Sequence, residues 1–238
     1  MTTQNKNIKK RYIGISLLFG ISLLNIACSS SDNTPVSKTF SVEVSNLTNF
    51  QPMAPIAGVL HTSDRSFFNI GERASDALEF LAEDGDNSLI LAETGDDILG
   101  NGTSEGITGP GVTASFNVSG ETADGTGFYL TVLTMPVNTN DAFTGTNSLS
   151  LDELEVGESV TVNTRVYDAG TEANSEAAGT IPGPADGGEG FNAERDDVDV
   201  VTMHKGVITS SDGLTTSILT EQHRFDNPTA RISVTRTE

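Results

Sequence analysis

The chain has little cysteine, no tryptophan and few basic residues, and each shortage excludes a class of protein. Its 238 residues contain one cysteine, so neither an internal disulfide nor a cysteine-cluster metal site is available. Thirteen basic residues stand against 33 acidic ones, for a formal net charge of −20. Because nucleic-acid binders use Lys and Arg to neutralise phosphates, this balance argues against nucleic acid as a partner.

The first 27 residues form a basic and then apolar leader. Lys6, Lys9, Lys10 and Arg11 precede the apolar run YIGISLLFGISLLNIA at residues 12–27, and no acidic residue lies in this stretch. A basic region, a short apolar region and a small residue are typical of an export signal. Residues 1–27 are therefore interpreted as a signal peptide, and the remaining chain carries nine basic and 33 acidic residues, a formal −24.

The only cysteine, Cys28, follows directly after this leader. The arrangement resembles a bacterial lipoprotein signal, in which the cysteine is lipidated and becomes the new N-terminus, although Leu24 stands four residues before it and not the usual three. The resemblance implies a membrane anchor on Cys28. Ser29 in place of Asp favours the outer membrane if the organism is Gram-negative. Ordinary secretion with a free thiol is the alternative.

After Cys28, a polar segment precedes a β-rich region. Residues 28–38 have no apolar periodicity and are interpreted as the lipidated cysteine and a flexible tether. From residue 39 to 238, a single folded domain is expected. Alternating apolar residues or short β-branched runs predict strands at 40–47, 112–118, 128–135, 159–167, 198–203 and 230–234.

One segment has helical rather than strand periodicity. Within residues 71–83, apolar side chains recur at i, i+3, i+4, i+7 and i+8, and Asp84-Gly85 follows as a stop signal. Many short strands and one amphipathic helix predict a mainly β fold, an antiparallel β-sandwich. A glycine-rich stretch at 179–190 is expected to be a loop within that domain.

Several stretches, in order along residues 39–236, carry a family likeness: 40–61 (with FSVEVSNL, NLT…QP and AGVLH), 71–85, 137–145, 167–172 and 227–234. Together they resemble the spondin N-terminal domain family. The resemblance implies a sandwich similar to the calcium-binding C2 modules. It also implies one calcium ion, held by the acids of an Asp-Ala-Gly-Thr-acid motif and by an acid from an earlier loop. In this chain the motif acids are Asp168 and Glu172, and the earlier acid is Asp141, with Asn140 as the alternative.

The residues themselves are compatible with calcium at this place. Calcium takes several oxygen ligands, so a site needs carboxylates on loops that can curl. Asp168 and Glu172 are four residues apart with Gly170 between them, and Asp141 follows another predicted strand. If the two loops share one end of the fold, three carboxylates converge there and repel one another unless a cation lies between them.

The sequence patterns that resemble catalytic motifs lack the context that catalysis requires. Gly102-Thr-Ser-Glu-Gly106 matches a serine-nucleophile pattern but is followed by a glycine- and proline-rich run that cannot begin a helix. His61, His204 and His223 form no zinc-binding spacing. We therefore expect that the protein is not an enzyme. We expect a lipid-anchored binding or adhesion module of the cell envelope, with a protein or glycan ligand and one structural calcium ion. The alternatives are a calcium-assisted envelope hydrolase and a purely structural lipoprotein.

Overall fold

The computed structural model describes residues 1–2, 34–123 and 125–238, and the last two ranges form a mainly β, antiparallel domain. Most of the predicted leader, Cys28 and the first part of the predicted tether lie outside the described residues. The elements, in chain order, are β1 (Val36–Asn46), β2 (Ala57–His61), α1 (Asp76–Asp84), α2 (Ser88–Leu91), β3 (Ile98–Thr103), β4 (Thr113–Thr122), β5 (Tyr129–Thr134), β6 (Ala142–Ser150), β7 (Ser159–Asp168), β8 (Thr202–Met203) and β9 (Ala230–Arg236). In the described ranges, none of the helices is long and apolar enough to cross a membrane.

The strands form one sheet that is nearly closed into a barrel. Its order is β3-β2-β5-β6-β7-β9-β1-β4, with β8 pairing beside β7. The two edge strands, β3 and β4, lie against each other. Glycine permits this close approach: a Cβ at Gly100 would lie 2.0 Å from the Ser119 carbonyl oxygen, and one at Gly102 would lie 2.2 Å from that of Asn117.

β7 joins the two halves of the sheet. Its first residues, 159–164, pair with β9, and its last residues, 165–168, pair with β6. The mainly β, antiparallel prediction is confirmed. The predicted β-sandwich is not confirmed, because the hydrogen-bonded ladder is continuous through β7 and the sheet is nearly closed into a barrel.

Two apolar clusters lie on opposite faces of the same strands. The larger cluster fills the inside of the sheet and includes Phe40, Leu130 and Ile232. The second lies beneath α1 and includes Leu78, Leu81 and Phe143. Burying such side chains is the main favourable contribution to folding, about 1.5–3 kcal/mol for each one fully buried.

The helix is shorter than its periodicity predicts. The Ser75 side chain accepts a hydrogen bond from the Leu78 amide and caps the N-terminus, so α1 begins at Asp76 and not near residue 71. Gly85 ends it in the left-handed conformation, as the Asp84-Gly85 signal predicts.

The strand predictions succeed mostly where one face is partly exposed, although the matched strand β5 is buried at every position after Tyr129. Five of them match β1, β4, β5, β7 and β9, although the predicted 198–203 strand shrinks to β8. β1 already begins at Val36, so the last residues of the expected tether are strand. Sequence patterns missed β2, β3 and β6. All five residues of β2 are buried, with Val59 packing beneath α1 and Leu60 packing inside the sheet, which removes the polar alternation that marks a strand.

Candidate metal centre

The end of β7 and the start of β6 bring the predicted site residues together. These strands are antiparallel neighbours, and Ala142 pairs with Asp168 across them. The Ala169 amide also donates to the Asp141 carbonyl oxygen over 3.1 Å. The two acidic loops therefore lie at the same end of the domain.

Asp141 is fully buried and only half satisfied. Its Oδ2 accepts hydrogen bonds from the backbone amides of Thr171 (2.8 Å) and Glu172 (3.1 Å) and a longer one from the Thr171 hydroxyl (3.3 Å). Its Oδ1 is buried and makes no hydrogen bond to any residue that the structure describes. Burial, and then the charge of Asp168, raises the pKa of Asp141 to about 8. A buried carboxylate with a free oxygen is costly unless a proton or a cation neutralises it.

Asp168 is also buried, and its hydrogen bonds stay within its own loop. Oδ1 accepts from the Gly170 amide over 2.8 Å, and Oδ2 accepts from the Asn174 side chain over 2.7 Å. Gly170 has φ +71°, which glycine adopts without the steric penalty of a side chain. The tight bend expected between the two motif acids is therefore present.

Glu172 is half-buried and is held by the neighbouring loop. Its Oε1 accepts a hydrogen bond from the Asn140 side-chain amide over 3.1 Å. Burial raises the pKa of Glu172 to about 7, the Asn140 hydrogen bond lowers it, and the nearby charge of Glu83 raises it further.

Asn140 is a positioning residue in this arrangement. Its amide nitrogen also donates to the Thr180 carbonyl and hydroxyl oxygens, and its side-chain oxygen accepts from the Glu176 amide over 3.3 Å. With its oxygen occupied in this way, Asn140 is less suited than Asp141 to be the first cation ligand.

Glu83, at the C-terminal end of α1, is an acid that sequence reasoning did not assign to the site. It is fully buried, its Oε2 accepts from the Asn192 amide over 2.9 Å, and its Oε1 makes no hydrogen bond. Burial raises its pKa, and the hydrogen bond from the Asn192 amide lowers it. The available signal was its helical i+4 spacing from Glu79, which places both acids on the buried face of α1.

These acids do not form a ready-made coordination sphere. Across residues 34–123 and 125–238, no three His, Cys, Asp or Glu side chains are positioned to hold a metal ion. The donor chemistry fits a hard cation, because Asp141 offers a free carboxylate oxygen and Asp168 and Glu172 are adjacent. Binding through all three would require the Asp168 and Glu172 side chains to exchange their present hydrogen bonds for the ion.

The histidines and the serine motif have other roles. His61 is buried, with Nδ1 2.6 Å from the Thr62 carbonyl oxygen and Nε2 2.9 Å from the Thr131 hydroxyl. His204 is buried beside Phe225. Ser104 is buried, and its hydroxyl accepts from the Ile56 amide over 2.9 Å, so it is not presented as a nucleophile.

Comparison with known proteins identifies the family of this chain. The Spondin_N family model matches residues 37–180, which include nearly all of β1, the whole of β2 to β7 and the loop carrying Asp168 and Glu172. No curated protein matches the chain. The block at 227–234 lies beyond the matched residues, but the match covers more than half of the chain. The chain therefore belongs to the spondin N-terminal domain family.

Proposed function

We propose that this protein is a non-enzymatic binding module of the cell envelope, stabilised by one calcium ion and anchored through a lipid on Cys28. The observation that carries the calcium part is the buried Asp141, whose Oδ2 is fixed by the Thr171 and Glu172 amides while Oδ1 has no partner. Calcium at this point would neutralise the repulsion between Asp141 and Asp168.

The role of the ion is to order the loops that meet at this end of the domain. The loop before β6 and the loop after β7 contribute the acids. Asn140, in the first loop, donates hydrogen bonds to Glu172 and to Thr180. A module whose loops become rigid can present a surface to a protein or glycan with less loss of entropy on binding. This functional step rests on fold-level analogy.

The hydrolase alternative requires a general acid and base near the ion. The carboxylates could fill one of these roles, but His61 and His204 are buried, and both ring nitrogens of His61 contact neighbouring polar groups. Asp141, Asp168 and Glu172 also have hydrogen-bond partners within the two site loops. These features favour a structural ion over a catalytic one.

Isothermal titration of the purified protein with calcium tests the proposal. We expect one site with a Kd of roughly 10⁻⁴–10⁻³ M, as in extracellular calcium modules. Asp168→Asn should remove the binding heat, and magnesium should bind more weakly because it demands a stricter octahedral geometry. Absence of heat in the wild-type protein after chelator treatment and dialysis would contradict the calcium part.

The anchor is tested separately. Cells grown with an alkyne fatty acid should incorporate the label into the wild-type protein, and Cys28→Ser should abolish incorporation and release the protein from the membrane fraction. Cys28→Ser protein that stays with the membrane would contradict lipid anchoring. Hydrolase and glycan-binding panels, run with and without calcium, separate the binding function from the two alternatives.

A further inference from the structure

Two adjoining cavities form an apolar groove at the end of the domain that carries the candidate metal centre. The first has a volume of about 370 Å³ and is lined by Phe50, Pro110 and His223 among others. The second, about 380 Å³, is lined by Ile107 and Val137 among others. Pro52 and Pro184 line both cavities. We call this pair the proline groove.

Large apolar side chains along the proline groove are exposed to solvent. Phe50 is 50% exposed and Ile107 is 60% exposed. Exposed apolar side chains collected around concave surfaces mark interaction sites more often than isolated ones do. Cavities of this size, mostly apolar with a few polar groups, are typical of binding sites.

The walls of the groove are held in place without a ligand. Gln51, which is fully buried, donates from Nε2 to the carbonyl oxygens of Asn138 (3.2 Å) and His223 (2.8 Å), and its Oε1 accepts from the Asn138 amide (3.0 Å). The Asn138 side chain donates to the Phe50 carbonyl oxygen (3.1 Å) and accepts from the Ala185 amide (2.9 Å). The loops that carry these residues are thus tied together, and a ligand would meet a preorganised surface.

Charge enters the groove at one end only. None of the described residues that line the first cavity is charged, whereas Asp84 lines the second and is exposed. Asp84 follows the candidate metal-site acid Glu83 directly, at the end of α1. A ligand that is apolar along most of its length and basic near Asp84 complements this distribution.

We propose that the proline groove binds an extended segment of a partner protein, with one apolar side chain in each cavity and a Lys or Arg beside Asp84. This proposal rests on the proposed binding function and names its ligand class. Polyproline segments dock in aromatic-lined grooves, and extended segments place alternate side chains in separate pockets.

Two other occupants fit less well. A sugar ring needs several polar partners, but both ends of the Asn138 side-chain amide are used inside the protein. A second copy of this chain would bring together two domains that are each strongly acidic. The basic, apolar peptide is the occupant that both lining and charge favour.

Panning a phage-displayed library of random heptapeptides on the purified full chain tests the proposal. We expect enriched families with two apolar positions and a nearby basic residue. A synthetic peptide of the leading family should bind the wild-type protein and should lose at least tenfold in affinity on Phe50→Ser and on Ile107→Ser. Val156→Ser, at a position that is also 60% exposed but lines neither cavity, is the matched control and should bind unchanged.

Asp84→Asn should weaken peptides with the basic residue and leave their alanine analogues unaffected. The proposal is overturned if no apolar-basic family is enriched, if acidic peptides are preferred, or if neither groove variant lowers affinity while both retain the wild-type melting temperature. Glycan binding that Phe50→Ser abolishes, without peptide binding, also overturns it.

Repeating the peptide titration with chelator distinguishes the proposal from the calcium site. If the peptide binds in the presence of chelator and the protein shows no heat of calcium binding, the calcium proposal is contradicted and the groove proposal is retained. If calcium binds but no peptide does, the calcium proposal is retained and the groove proposal is contradicted.

Discussion

The backbone amide of Thr171 donates a hydrogen bond to Oδ2 of Asp141 over 2.8 Å, across 30 positions of sequence. This contact joins the loop after β7 to the loop before β6. It also divides the Asp141 carboxylate into one oxygen that the protein uses and one that it leaves free. Changes at Asp141 can therefore separate the structural hydrogen bond from the proposed cation contact.

Asp141→Asn should abolish stabilisation by calcium while preserving the fold. The asparagine oxygen can still accept from Thr171 and Glu172, but its NH₂ group replaces the free oxygen that would bind the ion. With an assumed Kd of ~0.1 mM, about 2 mM calcium should stabilise the wild-type protein by about 1.8 kcal/mol. For a domain of this size, that corresponds to a rise in melting temperature of roughly 4–7 °C.

Differential scanning calorimetry with calcium or with chelator measures this shift. Asp64→Asn changes an exposed acid in another loop and should keep the full shift. Asn140→Ala should lower the melting temperature of the chelated protein yet retain part of the calcium shift, because Asn140 positions Glu172. An undiminished shift in Asp141→Asn would exclude Asp141 as a ligand.

Gly170→Ala should destabilise the domain by about 2–4 kcal/mol, since strain and a steric clash add together. Gly170 has φ +71°, and a Cβ there would lie 2.3 Å from the Val200 carbonyl oxygen. Gly187 has the same φ, but a Cβ there would meet no atom within 4 Å, so Gly187→Ala should cost only about 1 kcal/mol. Urea unfolding measures both values, and equal losses would show that the contact with Val200 has no effect.

His204 should make the domain sensitive to acid. Burial, and then the charge of Lys205, lowers the pKa of His204 to about 4, so the folded state favours the neutral ring. The neutral buried ring therefore contributes stability above the ordinary pKa of about 6.5, and this contribution is lost as the pH falls towards 4. Acidification through this range should lower the free energy of unfolding by about 2–4 kcal/mol. The Gly206 amide donates to Nδ1 over 2.9 Å, whereas Nε2 is buried without a partner.

The test compares unfolding free energies at about pH 7 and about pH 4.5, on either side of the ordinary histidine pKa, for the wild-type protein and His204→Asn. Asparagine can keep an acceptor for the Gly206 amide but does not titrate, so the variant should lose less stability on acidification. His223→Asn, at a less buried position, should change the pH dependence less. Parallel pH curves for the wild-type protein and His204→Asn would refute this origin of acid sensitivity.

Glu79→Ala should cost about 2–4 kcal/mol, because the mostly buried guanidinium of Arg195 loses its hydrogen bonds to Glu79 and keeps its ion pairs with the more exposed Asp199 and Asp76. The side chains of Arg195 and Glu79 are 9% and 6% exposed, and Arg195 also donates to the Ala74 carbonyl oxygen over 3.1 Å. Glu93→Ala removes a more exposed partner of Arg65 and should cost about 1 kcal/mol or less. Chemical denaturation distinguishes the two, and similar losses would contradict a special role for burial.

Most of the strands that sequence patterns predicted have one partly exposed face, although β5 does not, and β2, which the patterns missed, is buried throughout. β1 alternates buried and exposed positions, whereas β2 is buried on both faces between the inside of the sheet and α1. β3 contains Gly100 and Gly102, which favour turns in isolation but here permit contact with β4. Whether such a segment forms a strand depends on the element that packs against it, and local periodicity carries no information about that element.

In the candidate site, too, some features follow from the local sequence and others only from the complete fold. Local sequence was enough to place Asp168 and Glu172 on one turn, because four residues around a glycine cannot separate far. The complete fold was needed to show that Asp141 accepts from Thr171, that Glu83 is buried near them, and that Pro52 and Pro184 meet in one groove. Those relationships join residues that are distant in sequence, and they depend on strand order and register, which are set when the whole sheet folds.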